Sequence, residues 1–81
     1  MMSSHNVVIN INADECIVSR YGILVALMKC SQKKDKSMQT KLSKLIHTIS
    51  LEERETKNYV NAVNVKVSGN EVLLKYIQEN A

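Results

Sequence analysis

The most apolar part of the chain is a stretch in which apolar side chains fall on most faces of a helix. Its apolar residues are Ile17, Val18, Tyr21, Ile23, Leu24, Val25, Ala26, Leu27 and Met28. Just upstream, Asn12 and Glu15 have the spacing of a capping box, which predicts that a helix begins at Ala13. A lone helix that is apolar on most faces is not stable in water. The pattern therefore predicts a central, buried helix that runs from Ala13 to about Gln32.

A second apolar periodicity follows the polar, charged segment from Ser31 to Lys36. One helical stripe is formed by Met38, Leu42, Leu45, Ile46 and Ile49. Ser50 and Glu53 then repeat the capping-box spacing, and the acidic residues after Ser50 suit the positive end of a helix dipole. We therefore expect helix two to end near Ser50 and a third helix to begin at Leu51.

Two periodicities compete in the C-terminal part of the chain. Three valines alternate with polar residues, as in a strand, and a segment with the composition of a hairpin turn comes next. These residues are Val63, Val65 and Val67, followed by Ser68, Gly69 and Asn70. Tyr59 lies four residues before Val63, however, and this is the spacing of a helix. We favour the helix, capped by Gly69 and followed by a short last helix from Asn70 to Gln78. A hairpin that returns through Val72 to Ile77 stays the alternative.

These elements indicate an all-α fold, a small bundle of three to four helices in a single domain over residues 13–81. Residues 1–12 are expected to form an N-terminal arm or a short strand. The chain has 81 residues and no Phe, Trp or Pro, so its core has to be built from aliphatic side chains. This composition favours packed helices over an aromatic-rich β sandwich. An α+β fold with a C-terminal hairpin is the alternative.

So small a core supports little stability on its own, and homodimerisation is the expected supplement. The predicted self-association residues lie on the central helix. They are Tyr21, Gly22, Leu24, Val25 and Met28. Gly22 belongs to this prediction because a residue without a Cβ lets a second helix backbone approach closely.

Positive charge is concentrated in the middle of the chain. The net charge is +3, and the segment from Lys29 to Lys44 holds six lysines against Asp35 alone. The predicted partner-binding basic patch consists of Lys33, Lys34, Lys36, Lys41 and Lys44. Such a patch binds an acidic protein face or nucleic-acid phosphates, although a solvated helix face has the same composition. We favour a protein partner, and nucleic acid stays open.

Residues suited to catalysis or metal binding are few. Cys16 and Cys30 fall in the apolar predicted helix, where a thiol is inert and where their 14-residue separation exceeds disulfide reach. His5 and His47 lie far apart, and neither a CxxC nor an HExxH pattern occurs. With only two glycines, the chain contains no glycine-rich phosphate loop. We therefore predict no catalytic, cofactor-binding or metal site and a protein that is not an enzyme.

The hydropathy pattern carries no membrane signal. The start of the chain, Met1 to Ser4, lacks the basic residues of a signal peptide. The longest apolar run, Ile23 to Met28, is far shorter than the roughly 20 residues that span a bilayer. We therefore expect a cytoplasmic protein without membrane contact.

Four short segments resemble a known family. They are Asp35-Lys36-Ser37-Met38-Gln39-Thr40-Lys41-Leu42, Leu45-Ile46-His47, Leu51-Glu52-Glu53 and Lys57-Asn58-Tyr59. Over about residues 13–67 the chain is similar to the YmgB/AriR and YcgZ group of small enterobacterial biofilm and acid-resistance regulators, also called two-component-system connector proteins. The resemblance implies an all-helical homodimer without catalytic activity, active in stress responses. It implies that the protein modulates gene expression, through a sensor-kinase phosphorelay or by association with DNA, and it implies no individual site residue.

The sequence thus predicts a small non-enzymatic regulatory protein that acts by protein–protein interaction. A weakly specific DNA-binding regulator is the first alternative, because lysines also pair with phosphates. A phage-type or antitoxin-type inhibitor of an enzyme is the second, since small size and a basic loop are compatible with that role.

Overall fold

The computed structural model describes residues 7–10 and 13–80, which form a three-stranded antiparallel sheet with three helices packed on one face. The strands are β1 (Val7–Asn10), β2 (Glu15–Ser19) and β3 (Ala62–Lys66), and the helices are α1 (Arg20–Gln32), α2 (Lys36–Thr56) and α3 (Glu71–Glu79). The order along the chain is β1-β2-α1-α2-β3-α3, and β2 is the central strand of the sheet. The fold is therefore α+β, and the expected all-α bundle is wrong.

Strand β2 occupies residues that were expected to begin the central helix. Cys16 and Val18 are buried, whereas Glu15 and Ile17 are exposed, which is the two-residue period of a strand. Pairing with a strand on each side satisfies the β2 backbone and overrides the helical spacing. The predicted capping box fails for the same reason: Glu15 lies in β2, and Asn12 lies outside the described residues.

Helix α1 begins seven residues later than expected, at Arg20. Ser19 is its N-cap, and the Ser19 hydroxyl accepts a hydrogen bond of 2.9 Å from the Gly22 backbone N–H. At the other end, Lys34 has a φ of 60° and the Asp35 N–H donates to the Cys30 carbonyl at 3.0 Å. This is the hydrogen bond of a Schellman motif, which closes the helix and turns the chain into α2.

Helix α2 is one continuous element over the residues predicted to form helices two and three. Asp35 caps its start by accepting a 3.1 Å hydrogen bond from the Met38 N–H. Ser50 does not begin a new helix, because its hydroxyl donates to the Ile46 carbonyl at 3.1 Å within α2. A serine satisfied in this way fits a helix interior as well as a cap. Lys57, with a φ of 59°, ends the helix.

Strand β3 resolves the competition between periodicities in favour of period two. Val63 and Val65 are buried, and Asn64 and Lys66 are exposed. In the antiparallel pairing with β2, Val65 lies opposite Cys16 and Val63 opposite Val18. The favoured helix was wrong here. The alternative hairpin predicted this strand correctly, but it paired the strand with Val72 to Ile77, whereas β3 pairs with β2. After the turn at Gly69, whose φ is 87°, the chain forms helix α3 instead of a returning strand.

The hydrophobic core lies between the helices and the covered face of the sheet. Its buried members are Val7, Cys16, Val18, Ile23, Ala26, Cys30, Met38, Leu42, Ile49, Val63, Val65, Leu73, Leu74 and Ile77. Every described strand and helix contributes at least one of these residues. Each fully buried aliphatic side chain stabilises the fold by about 1.5–3 kcal/mol relative to an exposed one, so the two layers hold each other together.

Candidate interaction surfaces

Helix α1 exposes a stripe of apolar side chains on the side that faces away from the core. Tyr21, Leu24 and Met28 are 69%, 46% and 55% exposed, and Val25 between them is half-buried. Positions three, four and seven residues apart share one face of a helix. We call Tyr21, Leu24, Val25 and Met28 the α1 stripe. It is a surface that the monomer leaves in contact with water.

Gly22 does not belong to this surface, although it was predicted to take part in self-association. It is buried against the core side of α1, and its N–H is held by the Ser19 cap. The prediction rested on the missing Cβ of Gly22, which does not determine the face of the helix on which the residue lies. The remaining four predicted self-association residues are those of the α1 stripe.

All five residues of the basic patch are exposed. Lys33 and Lys34 form the connection between α1 and α2, and Lys36 is the first residue of α2. Lys41 and Lys44 follow in the next two turns. At about 100° per residue, the three α2 lysines spread over roughly 140° of the helix surface, so they do not all face the same direction.

Two open grooves lie beside the three α2 lysines of the patch. A groove of about 710 Å³ between α1 and α2 is lined by Leu27, Ser31, Lys36, Gln39, Thr40, Ser43 and Lys44. A smaller one of about 310 Å³ between α2 and the start of α3 is lined by Lys41, Lys44, Leu45, Gly69, Asn70, Glu71, Val72 and Leu73. The first groove contains no carboxylate, and its ammonium, hydroxyl and amide groups suit the oxygen atoms of an acidic ligand. Lys44 borders both grooves and is therefore the central residue of the patch.

The charge pattern of α2 is not the one that stabilises a helix. Between Lys36 and Leu51 there is no Asp or Glu, and the helix carboxylates follow at its C-terminal end, from Glu52 onward. A helix dipole favours the opposite arrangement, by about 0.3–1 kcal/mol per charge in the terminal turns. Lys34 likewise occupies a left-handed position where glycine is usual. The dipole of α2 therefore does not account for Lys36, whereas Lys29 and Lys33 lie at the C-terminal end of α1, where the dipole of that helix favours positive charge.

Sequence reasoning missed the cluster around Arg20, which joins the start of α1 to the end of α2 and to the segment before β3. Arg20 Nη1 donates to Glu53 Oε2 at 2.9 Å and to the Val60 carbonyl at 3.1 Å. Its guanidinium carbon lies 4.8 Å from the centre of the Tyr59 ring. The partners are 33 to 40 residues away in sequence, and no local pattern points to them.

The cysteines and the histidine among the described residues lie on three different elements: Cys16 on β2, Cys30 on α1 and His47 on α2. Cys16 on β2 and Cys30 on α1 are buried free thiols, and burial raises the pKa of each thiol, so both stay protonated. In residues 7–10 and 13–80, no group of three or more His, Cys, Asp or Glu is placed to hold a metal ion. His47 is exposed on α2, and His5 lies outside the described residues. Within the same ranges, no helix combines the length and apolar character that crossing a membrane requires.

No family model, curated protein or solved structure matches this chain. The all-helical architecture implied by the resemblance to the YmgB/AriR and YcgZ group is contradicted by the sheet, since β2 and β3 both lie within the residues that the resemblance covers. The basic patch and the α1 stripe are candidate interaction surfaces among the described residues.

Proposed function

We propose that this chain is a non-enzymatic regulatory protein that acts by binding an acidic face of a protein partner through its basic patch, and that self-associates through its α1 stripe. The observation that carries the proposal is the run from Lys36 to Leu51, which contains no carboxylate and whose exposed lysines border two grooves, the larger of them lined by no carboxylate. Positive charge concentrated beside a groove in this way attracts an acidic partner.

A protein partner is favoured over nucleic acid by the chemistry around the lysines. Base edges are read mainly by Arg, Asn and Gln, and the basic patch contains no arginine. Arg20 is engaged by Glu53, and Arg54 lies among the carboxylates at the end of α2. Leu27 in the larger groove adds apolar surface beside the charges. An apolar centre with a polar rim is typical of protein–protein interfaces.

The cellular context of the proposal is the cytoplasm, where reduced thiols such as those of Cys16 and Cys30 persist. Modulation of gene expression or of a signalling phosphorelay is proposed on the resemblance alone.

The proposal is tested by charge reversal at the central lysine. Lys44→Glu removes a cation from both grooves, whereas Lys75→Glu makes the same change at an exposed helical position on α3, outside the patch. Immobilised wild-type protein and both variants are incubated with nuclease-treated extract of the cells that express the protein, and captured proteins are quantified by mass spectrometry. We expect the wild type and Lys75→Glu to capture the same partner and Lys44→Glu to retain about a tenth of it, which corresponds to about 1.4 kcal/mol.

Circular dichroism of the variants establishes that each is folded. The proposal fails if Lys44→Glu captures the same proteins in the same amounts as the wild type. It also fails in favour of nucleic acid if capture depends on omitting the nuclease and a DNA duplex binds with an affinity that falls steeply with salt.

A further inference from the structure

The α1 stripe is charge-free as well as exposed. No charged residue occurs between Arg20 and Lys29, and α1 contains no carboxylate. An acidic partner bound at the basic patch therefore finds nothing on the stripe to pair with. Two copies of a protein of net charge +3 can therefore meet at the stripe without bringing charged groups of the stripe itself together.

The spacing of the stripe suits pairing with itself. Tyr21 and Met28 lie at equal distances from the midpoint between Leu24 and Val25. A two-fold axis through that midpoint makes two α1 helices antiparallel, with Tyr21 of each copy facing Met28 of the other. A two-fold interface uses the same patch twice, and a methionine sulfur against an aromatic ring contributes about 0.3–1.5 kcal/mol. The aliphatic Leu24 and Val25 then meet at the centre.

The charges at the ends of α1 also select the antiparallel arrangement. Lys29, Lys33 and Lys34 lie at or after the last turn of α1. In a parallel pair the lysines of both copies would be gathered at one end, and the two helix dipoles would point the same way. In an antiparallel pair these lysines are separated, and Lys29 of each copy faces Arg20 of the other, whose charge is paired with Glu53. The two dipoles then oppose each other, which is the favourable orientation.

The size of the stripe sets the expected strength. A large aromatic side chain buries about 150–250 Å² when fully covered, so three roughly half-exposed side chains contribute on the order of 300 Å² per copy. Twice this area is about half of the 1,200 Å² at the lower end of stable interfaces. The stripe is therefore the apolar centre of a reversible dimer, with neighbouring polar side chains as its rim.

From the stripe's exposure, its lack of charge and its symmetry, we infer that two copies pair through antiparallel α1 helices, so that the dimer carries two basic patches related by the two-fold axis. This inference rests on the proposed function, because it identifies the partner of the self-association surface and the arrangement of the binding surfaces. Lys33 is about 8.5 residues from the midpoint of the stripe, so the two Lys33 positions lie roughly 25 Å apart along the helix axes at a rise of about 1.5 Å per residue. The dimer is thus bivalent and fits a partner with two acidic faces, or two copies of one partner.

Engineered cysteines test the orientation. The full chain is prepared as Tyr21→Cys and as Met28→Cys, and the two are mixed under mild oxidation; the native Cys16 and Cys30 are buried and serve as an internal background. We expect the mixture to form mainly the disulfide between one variant and the other, resolved by mass spectrometry. Disulfides of each variant with itself would overturn the antiparallel arrangement. Cross-linking no greater than that of Lys66→Cys, an exposed position on β3, would overturn pairing through α1.

Sedimentation equilibrium tests the surface without new thiols. The wild type is expected to shift from 9.2 kDa toward twice that mass as its concentration rises, and Leu24→Asp to remain at 9.2 kDa. Val72→Asp, at a 67% exposed apolar position on α3, makes the same change outside the stripe and is expected to behave as the wild type. A wild type that stays at 9.2 kDa at its highest soluble concentration, or a Leu24→Asp variant that dimerises like the wild type, would contradict the inference.

The two proposals fail in different ways. Lys44→Glu is expected to stay dimeric while partner capture drops, and Leu24→Asp to bind the partner as a monomer with reduced avidity. A variant that loses the partner but keeps the dimer reports on the basic patch alone. A variant that loses the dimer without a change in avidity reports on the α1 stripe alone.

Discussion

At the residue scale, the ion pair between Arg20 and Glu53 joins α1, α2 and the segment before β3. Glu53 Oε2 accepts from Arg20 at 2.9 Å and from the Val60 N–H at 3.4 Å. The hydrogen bond from Arg20 holds the pKa of the Glu53 carboxyl below its usual value, with the Val60 N–H acting in the same direction. The charged form of Glu53 is thus favoured in the folded protein.

Replacement of this carboxylate is expected to change how stability depends on pH. Because the Glu53 pKa is lower in the folded than in the unfolded state, its contribution is present above the unfolded value of about 4.3 and is lost as pH falls through the folded pKa. Glu53→Gln should therefore be less stable than the wild type at pH 7 and approach it near pH 3, as measured by urea denaturation. The stability of Glu55→Gln, at an exposed position in the same turn, should change with pH as that of the wild type does. If the stability of Glu53→Gln also changed with pH as that of the wild type does, the argument would be refuted.

A second residue-scale prediction concerns Tyr76. Within the described part of the chain, its hydroxyl is buried without a hydrogen-bond partner, and burial first, then the nearby Cys30 and Asp35, raise the pKa of that hydroxyl. An unpaired buried hydroxyl is unfavourable, so Tyr76→Phe should leave the free energy of unfolding unchanged or raise it by about 1 kcal/mol. Urea denaturation measures the difference, with Tyr21→Phe as the exposed control. A loss of more than about 1 kcal/mol would mean that the hydroxyl has a partner.

At the scale of elements, α2 is the feature that determines the layout of the molecule. A single helix of 21 residues contributes the buried side chains Met38, Leu42 and Ile49 to the core, and β3 is the next element along the chain. Had the helix broken at Ser50, the segment after it would have been free to turn back before reaching β2. The continuity of α2 thus places β3 beside the central strand.

Proline at position 51 distinguishes a continuous α2 from two separate helices. Proline is well tolerated as the first residue of a helix, whereas in a helix interior it costs about 3 kcal/mol or more. Leu51 is 45% exposed, so little packing is lost with its side chain. We expect Leu51→Pro to lower the free energy of unfolding by about 3 kcal/mol and Leu51→Ala by less than about 1 kcal/mol. Equal stability of the two variants in urea would argue for a helix start at this position.

At the scale of the whole molecule, one core serves the sheet and all three helices. Cys16 lies on β2 and Cys30 on α1, yet both side chains are fully buried in that core, at 1% and 0% exposure. A reagent therefore reaches either thiol only when the shared core opens. The two cysteines report on the same cooperative unit from different layers.

We expect the two thiols to react together. In native conditions both should be inert toward a thiol reagent at pH 8, and in increasing urea both should become reactive over the same range as the loss of circular dichroism. Peptide mapping after timed labelling measures each site separately. Rapid labelling of one cysteine in the native protein would show that its element opens independently of the core.

Several features of the protein are legible in the sequence because they depend on neighbouring residues. The apolar stripe of α2, the turn at Gly69 and the concentration of lysines between Lys29 and Lys44 are local, as is the short helix after that turn. Helical hydrogen bonds join residues four apart, so a helix such as α2 is encoded within its own segment. Even there, the capping-box spacing at Ser50 had two readings, and only the surrounding structure chose between them.

The sheet was decided by tertiary structure. A five-residue strand contains too few positions for period two to exclude period 3.6, and its hydrogen bonds are made with segments far away, such as Cys16 with Val65. The same distance hid the Arg20 cluster and the burial of Gly22. The sequence by itself determined where apolar and positive residues occur along the chain. Only the tertiary structure decided which apolar side chains are covered, because burial depends on distant segments packing together, and it left Tyr21, Leu24 and Met28 of the α1 stripe and the lysines of the basic patch exposed.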